Sequence, residues 1–176
     1  MSKKTNNLNL DPLRAQVASK KRKKINGKQK GASFERHLAK LLNGKFDTKD
    51  FSRTPGSGAF ATTHSLPAHL QIYGDLITPK DFLFCIEAKS GYNVNLYDLV
   101  KDNSEIHKFI RQAKKDAKKA GKQWMLIYKK TRNKPLVILP KYYFKELKSK
   151  SITVYQMNIS IYLLEDVLAL ENSLFM

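Results

Sequence analysis

Apolar residues recur at Phe34, Leu38, Leu41 and Leu42, the i, i+4, i+7 and i+8 positions of one helical face. That spacing predicts a helix over Gly31 to Leu42, capped by Gly31 or Ser33 and stopped by Gly44. A second stripe, Ile106, Phe109, Ile110, Ala113 and Ala117, predicts a helix over Glu105 to Ala120, ended by Gly121. Between them the pattern changes to that of strands. Leu76–Thr78 and Phe82–Ala88, joined by Pro79-Lys80-Asp81, read as a β-hairpin. Trp124–Tyr128 and Leu136–Leu139 read as buried strands, and Ile152–Met157 as a further strand. Lys45–Phe51 reads as a ragged strand, residues 141–148 as a short helical or looped piece, and Glu165–Leu170 as a closing helix. No segment repeats another. The order α-β-β-β-α-β-β, followed by mixed elements, predicts an α/β domain with a central mixed sheet flanked by helices.

Length adds one constraint. The 176 residues fit one domain, here residues 30–176, with 41% hydrophobic content for its core. Residues 1–29 carry nine Lys and Arg against the single acid Asp11, so they read as a basic flexible N-terminal arm. Charge changes the picture more. A formal net charge of +18 exceeds what solubility requires and points to a polyanionic partner, nucleic acid first. The single cysteine, Cys85, excludes an internal disulfide framework and a cysteine-built zinc site, and it fits a reducing, cytoplasmic setting. No apolar run reaches the roughly 18–20 residues of a membrane span, so no membrane partner is expected.

The candidate chemistry lies in the hairpin. Glu87 and Lys89 are two apart on one strand and point the same way. Asp75, at the start of the pair, can reach the same end. Two carboxylates and a lysine on an apolar hairpin are costly to bury unless they are paired or hold a metal. The bland alternative is a salt-bridge cluster at a strand end. Glu35 lies beside the first apolar stripe, where it suits either the helix dipole or an acidic site. Arg53 and Ser57 bracket a glycine-rich turn, Arg53-Thr54-Pro55-Gly56-Ser57-Gly58, whose backbone can approach a phosphate. His64 and His69 follow in an irregular segment and read as surface residues. Gln112 is polar beside the second stripe. The opposite face of that helix carries Lys108, Arg111, Lys114, Lys115, Lys118 and Lys119, which look toward phosphate or water.

Asp75 followed by Glu87-Ala88-Lys89, with a Glu-bearing helix before and a Gln-bearing helix after, resembles the PD-(D/E)xK nuclease superfamily. Gly74 stands where proline is common. Gly31-Ala32-Ser33-Phe34-Glu35-Arg36, the Arg53–Gly58 loop, and Gln112 followed by Trp124-Met125-Leu126-Ile127-Tyr128 look like the archaeal-type Holliday junction resolvases over roughly residues 31–139. That resemblance implies a single restriction-endonuclease-like domain, phage-encoded or bacterial. Its implied activity is Mg²⁺-dependent cleavage of four-way DNA junctions by paired symmetric nicks, in a homodimer, with Mn²⁺ able to substitute. It implies Asp75, Glu87, the Ala88 carbonyl and Glu35 as metal ligands. Lys89 would orient or deprotonate the attacking water, and Gln112 would orient it. Arg53 and Ser57 would hold phosphate. Lys23, Lys24, Lys30, Arg111, Lys114, Lys115, Lys118, Lys130 and Arg132 are the further DNA-binding candidates. Two alternatives stay open: another DNA nuclease on the same fold, of nicking, repair or restriction type, and a non-catalytic basic nucleic-acid-binding protein.

Overall fold

The structure, a computed structural model, describes residues 27–55, 73–101 and 103–176. Lys23 and Lys24 of the basic arm, Ser57 of the glycine turn, and His64 and His69 lie outside the described residues. The chain runs α1 (Gly27–Phe46), β1 (Ser52–Arg53), β2 (Leu76–Ile77), β3 (Phe84–Ser90), α2 (Glu105–Ala120), β4 (Gln123–Lys129), β5 (Leu136–Pro140), β6 (Ile152–Val154), β7 (Ile159–Leu163) and α3 (Leu164–Leu168), with short 3-10 turns between. Among the described residues the main sheet has five strands in the order β3-β4-β5-β7-β6. It is mixed: β3 and β4 are parallel, and the remaining pairs are antiparallel. A helix packs on each face, as the element order predicts, and the chain is an α/β domain. No described helix is long and apolar enough to cross a membrane.

The two helical stripes make the two halves of the core. Phe34, Leu38, Ala39 and Leu42 of α1 bury against Phe84, Ile86, Ala88, Met125 and Ile127 on one face. Ile106, Phe109, Ile110, Ala113 and Ala117 of α2 bury against Cys85, Leu126 and Tyr128 on the other. The alternation of β3 is thereby fixed, since its odd-numbered residues face α2 and its even-numbered ones face α1. Cys85 is a buried core residue whose thiol is pushed up to about 12 by burial, so it is inert.

Helix α2 has the predicted bounds, with Gly121 left-handed at φ 65° as its cap. Helix α1 is longer than predicted at both ends. It enters from Gly27, inside the expected arm, and passes through Gly44 to Phe46. The stop is Asp47, at φ 49°, after which the Thr48 N–H donates to the Asn43 carbonyl in a Schellman-type closure. The additional turn is held by packing. Phe46 meets the rings of Phe51, Phe82 and Phe175, and the Lys45 ammonium donates to the Leu170 carbonyl. Lys45–Phe51 is therefore helix end and loop, not a strand.

The expected hairpin is corrected. The Pro79 turn exists, with the Phe82 N–H donating to the Pro79 carbonyl. However, β2 pairs with β1 in a separate two-stranded ladder, Ser52 with Ile77 and Arg53 with Leu76. The residue before β2 meets β3 through a backbone bond, from the Asp75 N–H to the Ile86 carbonyl at 2.9 Å. Gly74 makes that approach possible. It sits at φ +79°, and a Cβ there would lie 2.6 Å from the Ile86 carbonyl oxygen and 2.9 Å from the Cys85 sulfur. Replacement of Gly74 by Ala should therefore destabilise the fold by about 2 kcal/mol or more, as a left-handed conformation and a backbone clash add. Urea denaturation checks this; an unchanged midpoint would mean that β2 can stand away from β3.

The segment after residue 140 completes the sheet. Ile152–Met157 is not one strand, because β6 ends at Val154 and a 3-10 turn ends at Asn158, left-handed at φ 54°. The missed strand β7 then inserts between β5 and β6. Phe175 returns to the core among Phe46, Phe82, Phe84 and Phe144, its carbonyl accepting from the Leu83 N–H. The closing helix is shorter than predicted, at Leu164–Leu168.

Candidate active site

Strand β3 is an edge strand, and its outer side is covered by the segment that leads into β2. Its last residues, the N-terminal half of α1, Arg53 of β1 and the cavity-facing side of α2 surround one cavity of about 640 Å³. Glu35, Arg53, Asp75, Glu87, Ala88, Lys89 and Gln112 all line it. The residues singled out from the sequence thus converge from five separate segments on one place.

The charged groups interlock. Asp75 Oδ2 accepts from the Ala88 N–H at 2.8 Å and from Lys89 Nζ at 3.3 Å. Lys89 also donates to Glu87, the preceding residue on the same strand face. Arg53 Nε donates to Glu35 Oε2 at 2.5 Å. Glu35, Asp75 and Glu87 are 6%, 5% and 4% exposed, so three buried carboxylates share two cations. That imbalance has a titration signature. Burial, and then Asp75, push Glu87 up to about 7, and Lys89 only partly offsets them. Burial also raises Glu35, with Asp75 adding to it against the pull of Arg53. Burial alone would lower Lys89, but Asp75 and Glu87 outweigh it and raise the ammonium, so this lysine stays charged.

Excess buried carboxylate is the donor chemistry of a hard divalent cation. Among the described residues no three His, Cys, Asp or Glu side chains form a ready-made metal cage. The buried carboxylates of Asp75 and Glu87 are oxygen donors of the kind that a hard divalent ion takes. Asp75 and Glu87 would hold it, with the Ala88 carbonyl beside them and Glu35 reaching it directly or through water.

Some expected residues go elsewhere. Gln112 is exposed at the cavity rim, where its amide donates to Asp116 Oδ2 at 2.6 Å. Lys108 and Gln112 line the cavity, and Lys115 continues their stripe along α2. Arg111 and Lys114 face a different hollow with Leu99, Val100 and Met157. Lys118 falls on that second stripe by helical spacing. Lys130 belongs to a third, largely apolar groove with Val94, Leu136 and Ile161. Sequence reading missed Asp116, Glu105 and Tyr92, which also line the cavity. Asp116 stands four residues after Gln112, the one signal that pointed to it.

Buried Asp and Glu-x-Lys groups meeting at the edge of a mixed sheet define a nuclease of the PD-(D/E)xK type, a class that typically uses divalent metal ions. The family model described as "Phage putative PDDEXK endonuclease" matches residues 26–170, and the chain belongs to that family. Neither a curated protein nor a solved structure matches it.

Proposed function

We propose that this protein is a Mg²⁺-dependent endonuclease that acts on branched DNA, resolving four-way junctions by paired symmetric nicks. The observation that carries the nuclease reading is the convergence of Asp75, Glu87 and Lys89, with the Glu35–Arg53 pair, in one cavity. Junction specificity rests on the sequence resemblance of the Glu35 helix and the Arg53 loop, and nucleic acid as the partner on the charge of +18. A bound Mg²⁺ supplies Lewis acidity to a phosphate oxygen and acidifies water. The chain's own residues do the remainder. Asp75 and Glu87 present oxygen donors held in place by the Ala88 N–H and Lys89. Lys89, kept charged by both acids, orients water and stabilises the oxyanion that develops on phosphate. Arg53 is anchored by Glu35 through Nε, and its other guanidinium nitrogens would meet a phosphate. Gln112 orients water from the α2 side. Ser57 would add a phosphate contact from the glycine turn. Lys23, Lys24, Lys30, Arg111, Lys114, Lys115, Lys118, Lys130 and Arg132 would bind backbone phosphates without reading bases. Two cuts placed symmetrically require two sites, which a homodimer supplies.

A second reading is a PD-(D/E)xK nuclease of another DNA structure, favoured by a family description that carries no junction activity. One gel separates the two. The protein is offered a four-way junction, a flap, linear duplex and single strands, with Mg²⁺, Mn²⁺ or EDTA. Paired symmetric nicks confined to the junction and absent in EDTA are expected. Equal cutting of duplex or flap would favour the second reading, and no cutting under any condition would remove both.

A further inference from the structure

A second hollow of about 430 Å³ adjoins the catalytic cavity and differs from it in charge. It is lined by Lys30, Ser33, Phe34, His37, Ser90, Gly91, Lys129, Thr131 and Arg132. Among the described residues no carboxylate lines it, whereas Glu35, Asp75, Glu87, Glu105 and Asp116 line its neighbour together with Lys28, Arg53, Lys89 and Lys108. The two share Ser90 at the end of β3, and α1 forms a wall of both, with Gly27, Gly31 and Glu35 on one side and Lys30, Phe34 and His37 on the other. Its three cations come from separate segments: Lys30 from α1, Lys129 from the end of β4, and Arg132 from the turn beyond. None of the three forms a salt bridge among the described residues. They are nonetheless positioned. The Lys129 ammonium lies 5.9 Å from the centre of the Phe34 ring, and the Lys30 stem passes 4.0 Å from where a Gly91 Cβ would stand. Gly91 is left-handed at φ +88°, with its N–H donating to the Lys129 carbonyl, which ties the two sides together.

Like charges gathered in a cleft repel one another and focus a positive field, and an anion relieves both effects. The hydroxyls of Ser33, Ser90 and Thr131 add uncharged donors of the kind that phosphate oxygens accept. We propose that this cleft is a phosphate-binding subsite, distinct from the catalytic cavity, that grips the cut strand next to the scissile phosphate through Lys30, Lys129 and Arg132. The strand would cross from one hollow to the other over Ser90. The subsite rests on the nuclease reading for its purpose, but not for its detection, because binding is measured where nothing is cut.

The test uses the full chain in EDTA, with a fluorescent four-way junction and a linear duplex of the same sequence, read by anisotropy across a salt series. The double variant Lys129→Gln/Arg132→Gln should lose about tenfold or more in affinity for both DNAs, and the slope of log K against log salt should fall by about 2. Lys129→Arg/Arg132→Lys should recover most of the loss. A single neutral methylphosphonate is then walked along the strand. It should weaken wild type at one or two positions and leave the double variant unaffected there. The same comparison with and without a 5′-terminal phosphate tells a backbone phosphate from a strand end. Coupling at either place supports the subsite. Unchanged affinity and slope in a double variant that melts like wild type would overturn it, even if cleavage itself is confirmed. A protein that cuts nothing yet shows the coupling would keep the subsite and lose the nuclease.

Discussion

Glu87→Gln and Asp75→Asn should each reduce the rate of DNA cleavage by about 10³-fold or more, while DNA affinity in EDTA stays within a few fold of wild type. The two carboxylates are buried, they share Lys89, and they carry the negative charge that a divalent ion would neutralise. Losing one of them removes several kcal/mol of charge stabilisation at the transition state, and each 1.36 kcal/mol is a factor of ten. Binding should survive because the acids repel DNA rather than attract it. Cleavage at limiting Mg²⁺ should also fall as pH drops through about 7. Glu87 must be ionised to serve as a ligand, and burial with Asp75 holds its proton to about 7. Raising Mg²⁺ should move that fall to lower pH, because metal and proton compete for one group. Cleavage within tenfold of wild type by either variant would take the metal site away from these residues.

The second large effect is on stability and has opposite signs at neighbouring residues. Lys89→Met should abolish cleavage and also lower stability at pH 8 by about 3 kcal/mol, since it leaves Asp75 and Glu87 buried without their shared cation. Glu87→Gln should instead raise the stability of the metal-free protein at pH 8, by on the order of 2 kcal/mol. The folded chain holds the Glu87 proton more tightly than a free carboxyl does, so between about 4.5 and about 7 it binds more protons than the unfolded chain. Stability from this group is present at low pH and is lost as pH rises through that window. Both differences should therefore shrink at pH 5, where Glu87 is protonated. Thermal melts of the three proteins at pH 5 and pH 8, in EDTA, measure this. A Glu87→Gln variant that melts below wild type at pH 8 would mean that the lysine bridge outweighs the cost of burial.

Part of the molecule was legible because it is local. Helix α2 could be read residue by residue, as its stripe, its Gly121 stop and its core contacts all follow from a period of 3.6. The end of α1 could not. Gly44 is the locally favoured stop, but the Phe46 ring finds Phe51, Phe82 and Phe175, and those contacts carry the helix past it. The hairpin failed for a related reason. Adjacent apolar runs joined by a proline turn pair by default, yet Leu76 and Ile77 find Ser52 and Arg53, more than twenty residues upstream. Strand β7 was missed beside a run read as one long strand, although Asn158 between the two runs was a turn signal.

The site divides in the same way. The sequence by itself determined which residues could carry the chemistry, because Asp75, Glu87 and Lys89 are costly to bury and alternation puts the last two on one face. It also pointed to a polyanionic partner, since charge is a sum over residues and needs no fold. Only the tertiary structure decided how that charge is distributed. Among the described residues, carboxylates and cations were gathered together on one side of α1, and cations without a carboxylate on the other. Arg53 was given to Glu35, and Gln112 to Asp116. The first pairing joins residues eighteen apart that no local period relates, whereas the second is an i,i+4 pair on one helix. The first follows from how an edge strand, two helices and a short ladder close around a common cavity.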